Sequence, residues 1–234
     1  MDALYHIELS DLLWALIPVA VMGIIYIRWT QDTRTIPYAL LRMILQLILI
    51  GYILTYIFTT HHSWLVAGVL TVMLSAAGII ALRPMAHTTP KLYLKAFVAI
   101  ASGGLFTLAV IIFGVLGLEP WYEPRFVIPL AGMIFANAMN SVSIAAERFE
   151  SEVSSGKQYT EARSDTYKAA LIPIINALFA VGLVSLPGMM TGQILSGVDP
   201  LIAARYQMMV MLMVLGSAGI SVAVYLKLIE NRST

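Results

Sequence analysis

The stretch Phe135–Tyr159, FANAMNSVSIAAERFESEVSSGKQY, begins as an apolar helix and ends as a charged one. Its first half places two asparagines and two serines among residues typical of a membrane span. Its second half mixes acidic, basic and hydroxyl side chains, as a helix in water does. Polar side chains in hydrocarbon are costly unless they face protein or a cavity. The stretch therefore predicts a membrane helix with a specialised face that continues into water.

The composition of the whole chain supports a membrane protein. Hydrophobic residues make up 59% of the 234 residues and charged residues 12%, and the mean hydropathy is +0.85. Soluble domains carry about 25% charged residues. A single helical membrane domain spanning residues 1–234 is the expected organisation. The net charge of +1 does not favour a nucleic-acid partner, and the absence of cysteine excludes disulfides and cysteine-based metal sites.

Apolar runs of about 20 residues predict seven membrane-spanning helices, and hence an all-α, polytopic fold in the lipid bilayer. The expected spans are Leu12–Ile27, Ile36–Phe58, Trp64–Leu82, Tyr93–Leu116, Phe126–Ala146, Leu171–Ile194 and Tyr206–Ile229. The first span follows an acidic flank, and no small-residue cleavage site comes after it. We therefore expect a membrane anchor there and not a cleavable signal peptide.

The distribution of basic residues predicts the orientation. Twelve of the fourteen lysines and arginines lie in or beside the first, third and fifth connections or after the last span. Only Arg125 and Arg205 lie on the opposite side. Cytoplasmic loops carry an excess of Lys and Arg. We expect the N-terminus outside, the C-terminus in the cytoplasm, and the chain in the inner cell membrane.

The fifth predicted span carries a polar stripe. On a helix, Asn137, Asn140, Ser141, Ile144 and Arg148 share one face because they are spaced by three and four residues. One interpretation is that the amides and the hydroxyl make hydrogen bonds to neighbouring helices. The other is that they line a pathway for a solute. The two interpretations are compatible.

Other polar residues lie in or beside the spans. Arg42 and Gln46 share a face of the second span, where Arg42 either extends to the interface or acts as a pathway cation or a partner of Glu147. His61 and His62 are adjacent and so do not share a helical face. They fit an ordinary polar loop or a metal contact at the entry or exit of a pathway.

The sixth predicted span, LIPIINALFAVGLVSLPGMMTGQILSGVDP, is interrupted by Pro173 and Pro187. Proline removes a helical hydrogen bond and clashes with the preceding turn. Breaks at membrane depth are tolerated where they line a cavity, and transporters place solute sites at them. A simple packing kink is the alternative. The residues expected to line the break are Met189, Met190 and Gln193.

The segment 147–170 is the one sizeable cytoplasmic element expected. Its charged part, Glu147–Lys168, is divided by Ser154-Ser155-Gly156 into two short helical pieces. The sequence contains no phosphate-binding loop, nucleophile elbow or zinc-protease motif. A polar pathway joined to a charged cytoplasmic segment, without its own energy source, indicates an ABC transporter permease. The candidate coupling residues are Glu147, Arg148, Glu150, Lys157 and Arg163.

Three strings resemble the FetB family of ABC permeases, which includes bacterial iron exporters and plant membrane subunits of aluminium-tolerance transporters. They are RTIPYALLRMILQLILIGYIL, ANAMNSVSIAAERF and GLVSLPGMMTGQILSGVDPLIAARYQ, and the resemblance covers nearly the whole chain. It implies a permease paired as two copies with two copies of a separate ATPase. ATP and Mg would be bound by that ATPase, with no cofactor in this chain and a metal ion such as iron as the cargo.

The resemblance also implies roles for particular residues. It maps the asparagine-rich motif of the family onto Asn137, Asn140 and Ser141, and the proline-glycine motif onto Pro187–Gln193. We expect the first group to line the pathway, with Met189, Met190 and Gln193. Pro187, Gly188 and Gly192 are expected to form a gate or hinge. The string ESEVSSGKQYTEARSD departs from the glycine-containing helical element of the family.

Two other classes of protein are alternatives to a metal-exporting permease. A gradient-driven secondary transporter or channel usually holds a carboxylate inside the membrane as a coupling site. Here no Asp or Glu lies deep in a predicted span, since Glu147 lies at the cytoplasmic edge. An intramembrane enzyme would need a serine–histidine pair, paired aspartates or metal ligands inside the spans, and the sequence has none of these. The permease is therefore not expected to be an enzyme itself.

Overall fold

The computed structural model describes residues 8, 10–58, 62–85 and 87–230. The chain divides into two compact units, Met1–Thr60 and His61–Thr234. Most of the described residues are helical and none of them belongs to a named strand, although one isolated β-bridge joins Val181 and Ser185. The predicted all-α class is confirmed.

The first unit contains helices α1 (Leu12–Thr30) and α2 (Thr35–Ile57). Both are long and apolar enough to cross a membrane, and most of their large apolar side chains are exposed. Arg42 and Gln46 are exposed along one side of α2. Exposed apolar surface of this extent is expected for helices that face lipid, because the lipid tails are as apolar as the side chains.

The turn between α1 and α2 is organised by Asp32. Its carboxylate accepts hydrogen bonds from the backbone N–H groups of Arg34 (2.9 Å) and Thr35 (3.1 Å), and from the Tyr26 hydroxyl (3.3 Å). These bonds satisfy donors at the start of α2 that lack helical partners. Hydrogen bonding, above all with the Thr35 side chain and then with the Arg34 N–H, lowers the pKa of Asp32 to about 2.

The second unit is built around three long helices. In chain order its helices are α3 (Ser63–Ala81), α4 (Pro90–Ala109, continued by a π-helical stretch, Val110–Leu116), α5 (Pro124–Ser154), α6 (Tyr159–Ala180), α7 (Gly188–Leu195) and α8 (Pro200–Ile229). Helix α8 packs on α4 and α5, α3 also packs on α4 and α5, α6 packs on α5 and α8, and α7 packs on α8. A proline begins α4, α5 and α8, where its missing N–H costs nothing.

His61 lies outside the described residues, and His62 stacks on Trp64, with 6.2 Å between their ring centroids.

Six helices of the described chain are long and apolar enough to cross a membrane: α1, α2, α3, α4 with its π-helical extension, α5 and α8. The predicted single span Leu171–Ile194 is wrong in its continuity, because α6 ends at Ala180 and α7 begins at Gly188. Pro173 lies inside α6 without ending it, while Pro187 immediately precedes α7. The number of crossings and the orientation of the termini stay predictions.

Helices α6 and α7, which together replace the predicted single span, nevertheless extend along the length of α8. The Tyr159 hydroxyl, in the first turn of α6, donates a 2.9 Å hydrogen bond to the backbone carbonyl of Leu226 near the end of α8. At the other end, Gln193 of α7 shares a cavity with Ile202 and Tyr206 from the beginning of α8. The two ends of the segment therefore lie at opposite ends of the bundle.

Helix α5 extends between the two ends of the bundle without a break. It has 31 residues and so is about 46 Å long at 1.5 Å per residue, whereas the hydrocarbon core of a bilayer is about 30 Å thick. Its last eight residues include Glu147, Arg148, Glu150 and Glu152. Ser155 and Gly156 then end the helix, as the sequence predicted, so the charged end of α5 extends beyond the apolar bundle.

Candidate functional site

A cavity of about 670 Å³ lies between α5, α7 and α8, beside the end of the π-helical stretch. Two of the predicted pathway residues, Met189 and Gln193, line it from α7. The other walls come mainly from α5 and α8; they include Arg125, Phe126, Pro129, Met133, Ile202, Tyr206 and Met209. A mostly apolar cavity with a few polar groups is the usual form of a small-ligand site.

The amide of Gln193 is the notable polar group of this cavity. Its Oε1 atom is buried, and no donor in the described part of the chain hydrogen-bonds to it. A buried acceptor without a partner costs about 1–3 kcal/mol. An unpaired amide oxygen beside the Met189 thioether therefore offers oxygen and sulphur donors to a bound solute.

Met190 faces a different cavity from its neighbour Met189. This second cavity, of about 410 Å³, lies between α6, α7 and α8, and its lining includes Met190, Gln207, Met208 and Met211. Gln207 is 5% exposed, and its Oε1 atom has no hydrogen-bond partner among the described residues. The short helix α7 thus separates two methionine-containing cavities, each with one unpaired amide oxygen.

The predicted stripe on α5 is distributed over different environments. Asn137 is half-buried, and its Nδ2 donates a 2.9 Å hydrogen bond to the backbone carbonyl of Met133, which lines the larger cavity. Ser141 is only 6% exposed, in the core of the bundle, whereas Asn140 is exposed. The three side chains therefore do not converge on one cavity, and their role in a pathway stays a prediction.

The turn between α5 and α6, where the coupling segment was predicted, is held by four charged side chains. Glu152, 6% exposed, accepts from Arg148 (Nη2 to Oε1, 2.5 Å) and from Lys157 (Nζ to Oε2, 2.7 Å). Lys157 also pairs with Asp165 on α6 at 2.6 Å. Its hydrogen bonds with Asp165 and then Glu152 raise the pKa of Lys157, and Lys157 lowers the pKa of the Asp165 carboxyl. Three ion pairs therefore connect the end of α5, the turn and the start of α6.

Aromatic contacts attach this turn to the bundle. The ring of Tyr159 packs edge-to-face on Phe149, with 5.8 Å between the centroids, and its hydroxyl satisfies the Leu226 carbonyl in the last turn of α8. The Arg163 guanidinium lies over the same ring, 5.6 Å from its centroid. A displacement of the turn would therefore act on both α5 and α8.

The sequence comparisons agree with this architecture. The model of the Uncharacterised protein family (UPF0014) matches residues 9–233. The chain belongs to the UPF0014 family. A UPF0014 membrane protein of Synechocystis sp. is 32% identical over 91% of this chain and 88% of its own length. "Probable iron export permease protein FetB" of Escherichia coli is 37% identical over 79% of this chain and 76% of its own length. "Protein ALUMINUM SENSITIVE 3" of Arabidopsis thaliana is 32% identical over 79% of this chain and 71% of its own length. No solved structure matches this UPF0014 chain.

Two features of this UPF0014 member were missed by sequence reasoning. Glu152 is the central acceptor of the α5–α6 turn, and its position four residues after Arg148 was the available signal. Arg125 lines the larger cavity, although it was used only to assign the orientation. The coupling candidates Glu147, Glu150 and Arg163 are exposed, whereas Arg148 and Lys157 are engaged in the ion pairs of the turn.

Glycines at the two ends of the α7 region have a conformation that other residues rarely adopt. Gly182 and Gly197 have φ values of +81° and +89°. In contrast, a Cβ on Gly188 or Gly192, the predicted hinge residues, would meet no atom within 4 Å. The backbone therefore needs glycine before and after α7, and not within it.

This difference gives a testable prediction for Gly197 and Gly192. Gly197→Ala is expected to lower the free energy of unfolding by about 1 kcal/mol, because a Cβ is strained at positive φ. Gly192→Ala is expected to leave stability unchanged or to raise it slightly, because alanine favours the helix. Thermal unfolding of the purified variants in one detergent measures both. Equal destabilisation by the two changes would contradict the prediction.

Proposed function

We propose that this chain is the membrane-spanning permease subunit of an ATP-driven ABC transporter that exports a metal ion such as iron. The observation that carries the proposal is a cavity lined by Met189 and Gln193 that one continuous helix, α5, connects to a charged turn at the opposite end of the bundle. The 37% identity with the relative named as an iron export permease supports the same role. The sequence has no phosphate-binding loop, so ATP and Mg would be bound by a separate ATPase subunit.

The chemistry of the larger cavity suits a cation that has lost part of its water. The unpaired Gln193 oxygen and the thioethers of Met133, Met189 and Met209 are neutral donors that can replace water ligands. Arg125 lines the same cavity and raises the energy of a cation nearby. In the proposed orientation Arg125 lies at the outer end, where this repulsion favours release over rebinding from outside.

The coupling step follows from the α5–α6 turn. Glu147, Glu150 and Arg163 are exposed beside the ion-pair cluster and are the proposed contacts with the ATPase. A cleft of about 200 Å³, lined in part by Phe149, Glu150 and Val153, offers a place for an apolar side chain of that partner. Closure of the ATPase would press on the turn and tilt α5, which forms one wall of the cavity.

Asn140 supports the pairing of two permease chains. Its amide is exposed in the middle third of α5, where a membrane would surround a single bundle with hydrocarbon. An amide in that position is stabilised by contact with another protein surface or a water-filled pathway. A homodimer in which two α5 helices face one another would provide both.

The test is ATP hydrolysis and metal efflux by the chain reconstituted in liposomes with a co-expressed ATPase, with and without ferrous iron. Gln193→Leu with Met189→Leu is expected to abolish most metal stimulation, and Glu147→Lys with Glu150→Lys to reduce hydrolysis with or without metal. The matched control for the first pair is Met190→Leu, which changes the neighbouring side chain but not this cavity. Scrambling residues 150–165 should remove coupling altogether.

Two results would contradict the proposal. If no ATPase co-purifies and the scrambled chain behaves as the wild type does, the ABC assignment is wrong. Transport driven by an ion gradient without ATP would then favour a secondary transporter or channel. If hydrolysis is coupled but ferrous iron has no effect, the permease role stands and the cargo is not this metal.

A further inference from the structure

We propose that the cleft between α6 and α8 at the charged end of the bundle is a binding site for the headgroup of an anionic phospholipid. The cleft has a volume of about 500 Å³, and its polar lining consists of Arg163, Ser164, Tyr167, Lys168, Lys227 and Glu230. Three cations face one carboxylate, with two hydroxyl groups beside them. Guanidinium, ammonium and hydroxyl donors are the groups that bind a phosphodiester.

The position of the cleft along the helices favours a lipid. Lys168 is the last charged residue of α6 before twelve residues without a charge, and Lys227 lies in the last turn of α8 after a long apolar stretch. Both helices therefore change from charged to apolar at the same level. Basic pockets between membrane helices at this level bind anionic headgroups.

Beyond the charged cleft, both helices carry small or exposed apolar residues. Ala223, Gly219 and Gly216 lie at helical spacing from Lys227. A Cβ on Gly219 would lie 3.3 Å from the Tyr167 hydroxyl, whereas a Cβ on Gly216 would meet no atom within 4 Å. On α6, Ile172, Ile175 and Phe179 follow Lys168 at helical spacing and are 53%, 38% and 78% exposed. A headgroup held by the lysines would thus place its acyl chains along small residues on one side and large apolar residues on the other. A free phosphate ion has no acyl chain to pack against this apolar surface.

The test of this site is independent of the proposed transport cycle, although one lining residue, Arg163, is also a proposed contact with the ATPase. The residues of the site lie on α6 and α8, and the test below avoids Arg163. The readout is retention of lipid, so the result does not depend on an ATPase or on a cargo.

The experiment is native mass spectrometry of the full chain released from detergent in equal amounts of phosphatidylglycerol and phosphatidylcholine. We expect the wild type to retain phosphatidylglycerol preferentially. Lys168→Gln with Lys227→Gln should reduce that retention by about tenfold or more, because each cation near anionic lipid contributes about 1 kcal/mol. The matched control, Arg83→Gln with Lys91→Gln, removes two exposed cations elsewhere and should retain the lipid as the wild type does.

A second variant separates a lipid from a free anion. Gly216→Leu keeps every charge and the lining of the charged cleft, but it covers the small-residue surface beyond the cleft, and it should also reduce retention of phosphatidylglycerol. Equal retention of the two lipids by the wild type, or unchanged retention in the double lysine variant, would overturn the proposal. It would also be overturned if Gly216→Leu had no effect while inorganic phosphate displaced the lipid, since the cleft would then be a site for a free anion. Thermal unfolding in the same detergent shows that each variant is folded.

Discussion

Replacing Arg148 and Lys157 together by glutamine should cause a large loss of stability, because the buried carboxylate of Glu152 then has no cation. Both of its oxygens are paired in the folded chain, one with each cation. Leaving a buried charge without its partners costs on the order of 3 kcal/mol. For a chain of this size that corresponds to about 10 °C in Tm. Thermal unfolding in detergent measures it.

The decisive control for this first prediction is a triple variant that adds Glu152→Gln. Once the carboxylate is neutral, the absence of cations matters little, so most of the lost stability should return. A triple variant as unstable as the double one would show that the two cations act through contacts other than Glu152. The same two variants, assayed with an ATPase, separate the stability of the turn from its coupling role.

Replacing Gly103 by alanine should have the second large effect, because α4 and α8 touch there through their backbones. A Cβ on Gly103 would lie 2.3 Å from Ser221 Oγ, 2.7 Å from the Ser221 backbone nitrogen and 2.8 Å from the Ser217 carbonyl oxygen. Backbone atoms cannot yield as a flexible side chain can, so the helices must separate. We expect a cost of about 1–3 kcal/mol for alanine and more for leucine.

Gly68 on α3 provides the matched control for Gly103. A Cβ on Gly68 would meet no atom within 4 Å, so Gly68→Ala should be neutral or slightly stabilising. The Tm values of the two alanine variants, measured in the same detergent, give the comparison. Similar values for Gly103→Ala and the wild type would mean that α4 and α8 are not in backbone contact in the membrane.

The long helices were predictable from the sequence because a membrane span needs a long apolar run, and that run is visible without tertiary information. The apolar part of α5 was predicted as the span Phe126–Ala146 and the charged part after it as a short helical piece, and the structure joins the two in one helix, Pro124–Ser154. The break in the sixth segment was harder to place, since Pro173 and Pro187 carry the same local signal. A proline ends a helix only where neighbouring groups do not compensate for the lost hydrogen bond, and that depends on packing. Only Pro187 marks the break in the structure.

The residues of the site were predictable in part, for a related reason. Helical spacing indicates which side chains share a face, but not which neighbouring helix covers it. Met189 and Gln193 were expected to act together and do line one cavity, whereas the adjacent Met190 lines another. Asn140 and Ser141 were placed on one stripe, yet one is exposed and the other is buried. The burial of Glu152 could not be recognised from the sequence, because the residues that surround its side chain are brought together only by the fold of the α5–α6 turn.

The contrast between a continuous α5 and a broken sixth segment has a mechanical consequence. A continuous helix transmits force along its length, so a load on the charged end of α5 would reach its other end. The sixth segment receives the same load through the turn, but residues 181–187 would absorb it as a compliant joint. The two walls of the larger cavity, α5 and α7, would then respond unequally to one stroke. Unequal displacement of α5 and α7 would change the shape of the cavity, whereas equal displacement would move the cavity without changing its shape.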